Sequence, residues 1–196
     1  MKRFAAIVAV PAVVLLFLAA TGGASGSGSP TQLGLTPGQV SLQTIEPFSY
    51  VAITRTGSLD QIEEAVGMLW EAMQYKNIAP RGPLMAIYHG SPALSGTGEL
   101  QYEIAFPVLD EVEVMDPADM PQAIAKKRWI FSTVAAGLHV GPYDGVGEFI
   151  MKMLDWMKAN GCVQNGPILE RYLDQDLSEE APQRLQTEIW IPCRKQ

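Results

Sequence analysis

Histidine, cysteine and basic residues are scarce in this chain of 196 residues, and each shortage closes off a class of function. Two Cys and two His are too few for a zinc module, so no metal is expected. Lys and Arg number 14 against 21 Asp and Glu, a net charge of −7. The basic run Lys126-Lys127-Arg128 is only three residues long and reads as a solvated connector. Nucleic-acid binders draw affinity from cations meeting phosphate, so no nucleic-acid partner is expected. G-x-S-x-G, P-loop, H-E-x-x-H and C-x-x-C motifs are all missing, and no cofactor is expected. His139 lacks a Ser or Cys partner and His89 sits near a strand end, so both read as surface or hydrogen-bonded residues.

Charge is also missing from one long stretch. After Lys2 and Arg3 no charged residue appears until Glu46, and Phe4 to Ala20 is apolar but for Pro11. A basic start, an apolar run and the small residues from Ala19 to Ala24 make residues 1–24 a signal peptide, or an uncleaved membrane anchor through residues 4–20. A buried core helix is the remaining reading. The expected location is therefore exported, periplasmic or otherwise extracytoplasmic, with the membrane as partner if the leader is retained. Residues 25–47 are rich in Gly, Ser and Pro and are expected to be a flexible linker, so the folded domain is expected over 48–196. With 47% hydrophobic residues in the chain it can bury a proper core. Cys162 and Cys193 read either as a disulfide, closing a loop of about 30 residues worth ~3 kcal/mol, or as two separate buried thiols.

Within the domain the sequence repeats with a period of 84 residues. Gly57 matches Gly141, Asp60 matches Asp144, Gly82-Pro83 matches Gly166-Pro167, and Tyr88 matches Tyr172. After one inserted residue, Glu103-Ile104 matches Glu188-Ile189 and Pro107 matches Pro192. Residues with backbone and capping roles recurring in fixed order point to a duplicated unit, with halves at about 48–109 and 131–193. Each half reads as strand, helix, strand, strand. Ile62, Val66, Leu69 and Met73 form the first helical stripe behind a Ser58/Gln61 capping box, and Asn77 stops that helix. Val146, Phe149, Ile150, Met153 and Met157 form the second stripe, with Asp144 as expected N-cap and Gly161 as stop. The fold class is α+β: pseudo-twofold duplicated strand-helix-strand-strand units, an antiparallel sheet, two helices and a ligand cleft where the halves meet.

Strand alternation selects the candidate site. Glu188 and Trp190 share one face of the closing strand, opposite Thr187, Ile189 and Ile191. Glu170 and Tyr172 likewise share a face of the preceding strand, opposite Leu169 and Leu173. If the two strands pair, these four converge on one open patch away from the helices. The corresponding positions of the first half are Ala86, Tyr88, Glu103 and Ala105. An acid among aromatics suits an apolar, often cationic, ligand, whereas carboxylates on an open sheet face are otherwise simply solvated. Tyr143 and Tyr88 are further wall candidates, and Trp156, off the main helical stripe, could line the cleft mouth.

These residues resemble the GyrI-like small-molecule-binding family, also met as the effector-binding domain of AraC-type and MerR-type regulators. The resemblance is carried by His139-Val140-Gly141-Pro142-Tyr143-Asp144, Glu170-Arg171-Tyr172-Leu173-Asp174 and Thr187-Glu188-Ile189-Trp190-Ile191-Pro192, and it covers roughly residues 48–193. It implies the same duplicated fold, an amphipathic or cationic small-molecule ligand, and Glu188 as the pocket carboxylate. Some relatives hydrolyse cyclopropane-containing toxins, which keeps open an enzyme with Glu188 or Glu170 as general base. The third reading is an envelope module that holds a protein segment. The chain has no room for a helix-turn-helix arm, which points away from transcription control.

Overall fold

Strand-length runs ended by Gly and two amphipathic stripes become nine strands and two α-helices in a computed structural model, which describes residues 33–90, 100–114, 124–174 and 182–196. In chain order they are β1 Val40–Thr44, β2 Phe48–Gly57, α1 Ile62–Tyr75, β3 Met85–His89, β4 Leu100–Val108, β5 Ala125–Trp129, β6 Thr133–Val140, α2 Val146–Ala159, β7 Cys162–Gln164, β8 Ile168–Tyr172 and β9 Gln186–Lys195. The antiparallel sheet runs β1-β6-β9-β8-β3-β4-β2-β5, with β7 beside the end of β9. β2, β4 and β3 on one side and β6, β9 and β8 on the other follow the same order, meeting where β3 pairs with β8.

The helices cover one face of this sheet. α1 buries Ile62, Ala65, Leu69 and Met73 in a cluster with Val51, Ile53, Tyr88, Tyr102 and Ile104. α2 buries Val146, Phe149, Ile150, Met153 and Met157 in a cluster with Ala135, Ile168, Ile189 and Ile191. Both helices stop where expected: Asn77 and Gly161 take the left-handed conformation, at φ 54° and 67°. Around Asn77 the Ile78 N–H donates to Met73 O at 2.9 Å, the closing bond of a Schellman cap. Asp144 is not the expected cap. It lies within a 3-10 turn over Tyr143–Gly145 that leads into α2, with no side-chain cap bond.

The other sheet face is not open, as alternation alone suggested. Phe48, Tyr50, Met85, Ile87, Trp129, Leu169 and Trp190 form a second buried cluster, packed against Leu33, Leu35 and Phe131. The chain over 33–47, expected to be spacer, thus supplies both part of this cover and β1. β1 has only two apolar residues, half-buried Val40 and exposed Leu42, so it lacks the buried alternating face that marks a strand, and Gly and Ser residues surround it. Lys126-Lys127-Arg128 is likewise not a connector but the middle of β5, the opposite sheet edge, where Lys126 and Arg128 are exposed. Cations on an edge strand discourage pairing with further chains. The leader expected over residues 1–24 lies outside the described residues. Among the described residues, no helix is long and apolar enough to cross a membrane.

Gly137 in β6 shows how closely α2 is seated. A Cβ placed there would lie 2.9 Å from two ring atoms of Phe149 and 3.2 Å from Met153 Sδ. Gly137→Ala is expected to cost about 1–3 kcal/mol through overpacking. By contrast Gly67→Ala, where nothing lies within 4 Å in α1, is expected to gain about 0.5–1 kcal/mol. Urea unfolding of the two variants checks both signs; a neutral Gly137→Ala would mean that α2 is looser on the sheet than described.

Candidate functional site

Register, rather than alternation within a strand, decides which acids meet. β8 and β9 pair Leu169 with Trp190, Glu170 with Ile189 and Arg171 with Glu188. Partner numbers sum to an odd value, so even-numbered residues of β8 share a face with odd-numbered residues of β9. The single patch expected from Glu170, Tyr172, Glu188 and Trp190 is therefore two sites on opposite faces of the sheet.

On the helix face, Glu170 lies where β8 pairs with β3 in the middle of the sheet. Pairing of β8 with β3 sets it opposite Ala86, whose small side chain leaves the neighbouring space to Tyr88 and Tyr172. Tyr172 OH donates to Glu170 Oε2 at 2.8 Å and Tyr88 OH reaches the same oxygen at 3.5 Å. The two hydroxyls are 3.5 Å apart. Tyr143 meets Tyr172 edge to face, with centroids 5.5 Å apart and planes at 86°. Half-buried Tyr143 packs on both the α1 and α2 clusters, so it forms the solvent-side wall of the group.

Glu170 is 6% exposed, and this burial pushes its carboxyl up to about 7 against the lowering pull of the Tyr172 and Tyr88 hydrogen bonds. Burial and the neighbouring carboxylate push the Tyr88 and Tyr172 phenols well above 10, so both stay protonated donors. The groups acting on this acid are hydroxyls, which orient toward a charge without cancelling it. A buried carboxyl balanced between its charged and neutral forms, walled by three aromatic rings, can accept a cation or exchange a proton.

Glu188 is held quite differently. It and Arg171 are both almost completely buried, with Arg171 Nη1 3.2 Å from Glu188 Oε2. Trp190 Nε1 donates to Glu188 Oε1 at 2.6 Å, and the Leu33 backbone N–H donates to the same carboxylate. The Arg171 guanidinium also lies over the Trp190 ring, 4.7 Å from its centroid. Burial raises Glu188 and lowers Arg171, and each partner's charge opposes the other's shift. The pair fastens β8, β9 and the segment entering β1 together. Sequence reading missed Arg171, since only the register shows that it faces Glu188.

Glu103, the repeat counterpart of Glu188, is also buried and satisfied. Tyr50 OH donates to it at 3.2 Å, Lys127 Nζ lies at 3.2 Å, and His89 Nε2 is hydrogen-bonded to it. His89 is thus the hydrogen-bonded residue expected of a lone His, while His139 Nε2 contacts Pro142 O at 3.0 Å. Trp156 is half-buried against the α2 cluster, on which Tyr143 also packs. Among the described residues no group of three His, Cys, Asp or Glu could hold a metal ion.

Comparison with known proteins gives a family and a fold. The model of the GyrI-like small molecule binding domain matches residues 38–194. A cryo-EM structure of an EcmrR–DNA complex is similar with a TM-score of 0.68 at 16% identity, covering 81% of this chain and 58% of that one. A conserved protein from Listeria innocua, described as uncharacterized, gives 0.64 at 16% identity, covering 81% and 93% of the two chains. A hydrolase from Listeria innocua gives 0.61 at 14%, with the same coverage. Likeness at these identities is one of fold alone. No curated protein matches the sequence significantly.

Proposed function

The chain belongs to the GyrI-like small-molecule-binding domain family, and from that premise we propose that it binds an amphipathic cation at Glu170, between α1 and α2. Tyr88, Tyr172 and Tyr143 are the apolar walls. The observation that carries this reading is the contrast between two buried acids on one strand pair. Glu188 already has Arg171 as counter-charge, whereas Glu170 is held by hydroxyls and has charge left to give a ligand. Aromatic faces supply area and cation–π attraction to the same ligand. The N-terminal apolar run would deliver the domain outside the cytoplasm or tether it there, which fractionation of cells making the full chain with a C-terminal tag would decide.

Calorimetric titration of the full chain with tetraphenylphosphonium, beside the uncharged triphenylphosphine oxide, tests the ligand class. The cation is expected to bind at least about tenfold more tightly, or ~1.4 kcal/mol. Equal affinities would overturn the cationic reading. A second reading is favoured by the carboxyl near neutral pH beside two phenolic donors, which is the state a general base needs. In that case Glu170 would activate water against an electrophilic ligand. Mass spectrometry after long incubation with a strained cyclopropane or epoxide decides it: unchanged ligand removes hydrolysis.

A further inference from the structure

Of the two alternatives that the sequence left for Cys162 and Cys193, the structure has two free buried thiols and not the disulfide. β7 and β9 pair Gln164 with Cys193 and Cys162 with Lys195. Residues 162, 164, 193 and 195 therefore point to one side, with the cysteines as diagonal neighbours. Both are free thiols buried in the α2 cluster, and burial together with the neighbouring Cys162 pushes the Cys193 thiol up to about 11. Beside them opens a cavity of about 560 Å³, whose lining includes both cysteines, Phe131, Asn165, Arg194 and Lys195. Two thiols in contact, with no third ligand among the described residues, do not make a zinc site. Two neighbouring thiols beside a cavity are what thiol–disulfide exchange needs. The cations in its wall attract an anionic reagent.

We propose that Cys162 and Cys193 are a reversible thiol–disulfide pair, oxidised through this cavity by a small anionic disulfide of the glutathione class. One cysteine thiolate attacks a sulfur of the small disulfide, forming a mixed disulfide and releasing one small thiol. The second cysteine, as thiolate, attacks the protein sulfur of that mixed disulfide, forming the Cys162–Cys193 bond and releasing the second small thiol. Two protein thiols are oxidised and one small disulfide is reduced, the two protons passing to the released thiolates. The new bond encloses the thirty residues from 163 to 192, among them Glu170, Tyr172 and Glu188. It fixes the two ends of the segment that carries both acids, whether or not a ligand binds there.

The test is to incubate the reduced full chain with oxidised glutathione, denature it, and count free thiols with a maleimide-polyethylene glycol reagent alongside intact mass. Loss of both thiols, a monomer lighter by two hydrogens, and full recovery with dithiothreitol are expected. The oxidised chain is also expected to melt roughly 6–10 °C higher, the scale of a disulfide closing a loop of this size. Cys193→Ser is expected to stop at a mixed disulfide on Cys162. Two persisting thiols, two glutathione adducts or a disulfide-linked dimer from the native chain would each overturn the pairing.

Discussion

Glu170→Gln is expected to weaken tetraphenylphosphonium binding by at least about 30-fold, or ~2 kcal/mol. The substitution keeps the size of the side chain and an acceptor for the Tyr172 and Tyr88 hydroxyls, which lie 2.8 and 3.5 Å from the carboxylate. It removes only the charge. A ligand cation entering this group exchanges water for aromatic faces and one buried carboxylate, so losing the carboxylate leaves the cation desolvated without a counter-ion. Calorimetry on wild type and variant measures the ratio, and the fold of the variant is checked by its unchanged circular dichroism. A ratio below about threefold would remove Glu170 from the binding site.

Arg171→Met is expected to have the largest effect on stability, costing about 3–5 kcal/mol. The guanidinium is the counter-charge for Glu188 and also stacks on Trp190, so its loss strands a buried carboxylate. The double variant Arg171→Met, Glu188→Leu removes both charges and is expected to recover most of the loss, because a well-packed apolar pair often replaces a buried ion pair at little cost. Urea unfolding of the three proteins gives these differences. The double variant is further expected to bind tetraphenylphosphonium within about threefold of wild type, since Glu188 lies across the sheet from Glu170. A single variant as stable as wild type would show that the pair is not a fastening. A double variant that folds but no longer binds would return the ligand to Glu188.

Much of the frame was readable before any coordinates. The apolar stripes placed both helices, and Asn77 and Gly161 stop them for the backbone reason that singled them out. The 84-residue period matched Tyr88 with Tyr172, which stand together beside Glu170 where β3 pairs with β8. Three strands were missed: β1 and β5 are five-residue edges with few apolar positions, one among Gly and Ser and the other holding three cations, and β7 is only three residues long. Choosing between the acids was beyond the sequence for a sharper reason. A slip of one residue between β8 and β9 exchanges every facing pair, and no residue type in either strand fixes that slip. Resemblance to the family favoured Glu188, the acid of the closing strand, and the pairing gives that acid an arginine.

The pH dependence of affinity for a permanently charged ligand bears most directly on the site. Tetraphenylphosphonium does not titrate, and the Glu170 carboxyl is held at about 7 in the folded protein. Below that pH the acid is protonated, so the cation must displace a proton to bind and its affinity falls about tenfold per unit. Above it the acid is already ionised and affinity levels off. A roughly tenfold tighter Kd at pH 8 than at pH 6, with proton release at the lower pH and a flat profile for Glu170→Gln, is the expected result. Equal affinity at the two pH values in the wild-type protein, or the same slope in Glu170→Gln, would contradict cation binding at Glu170.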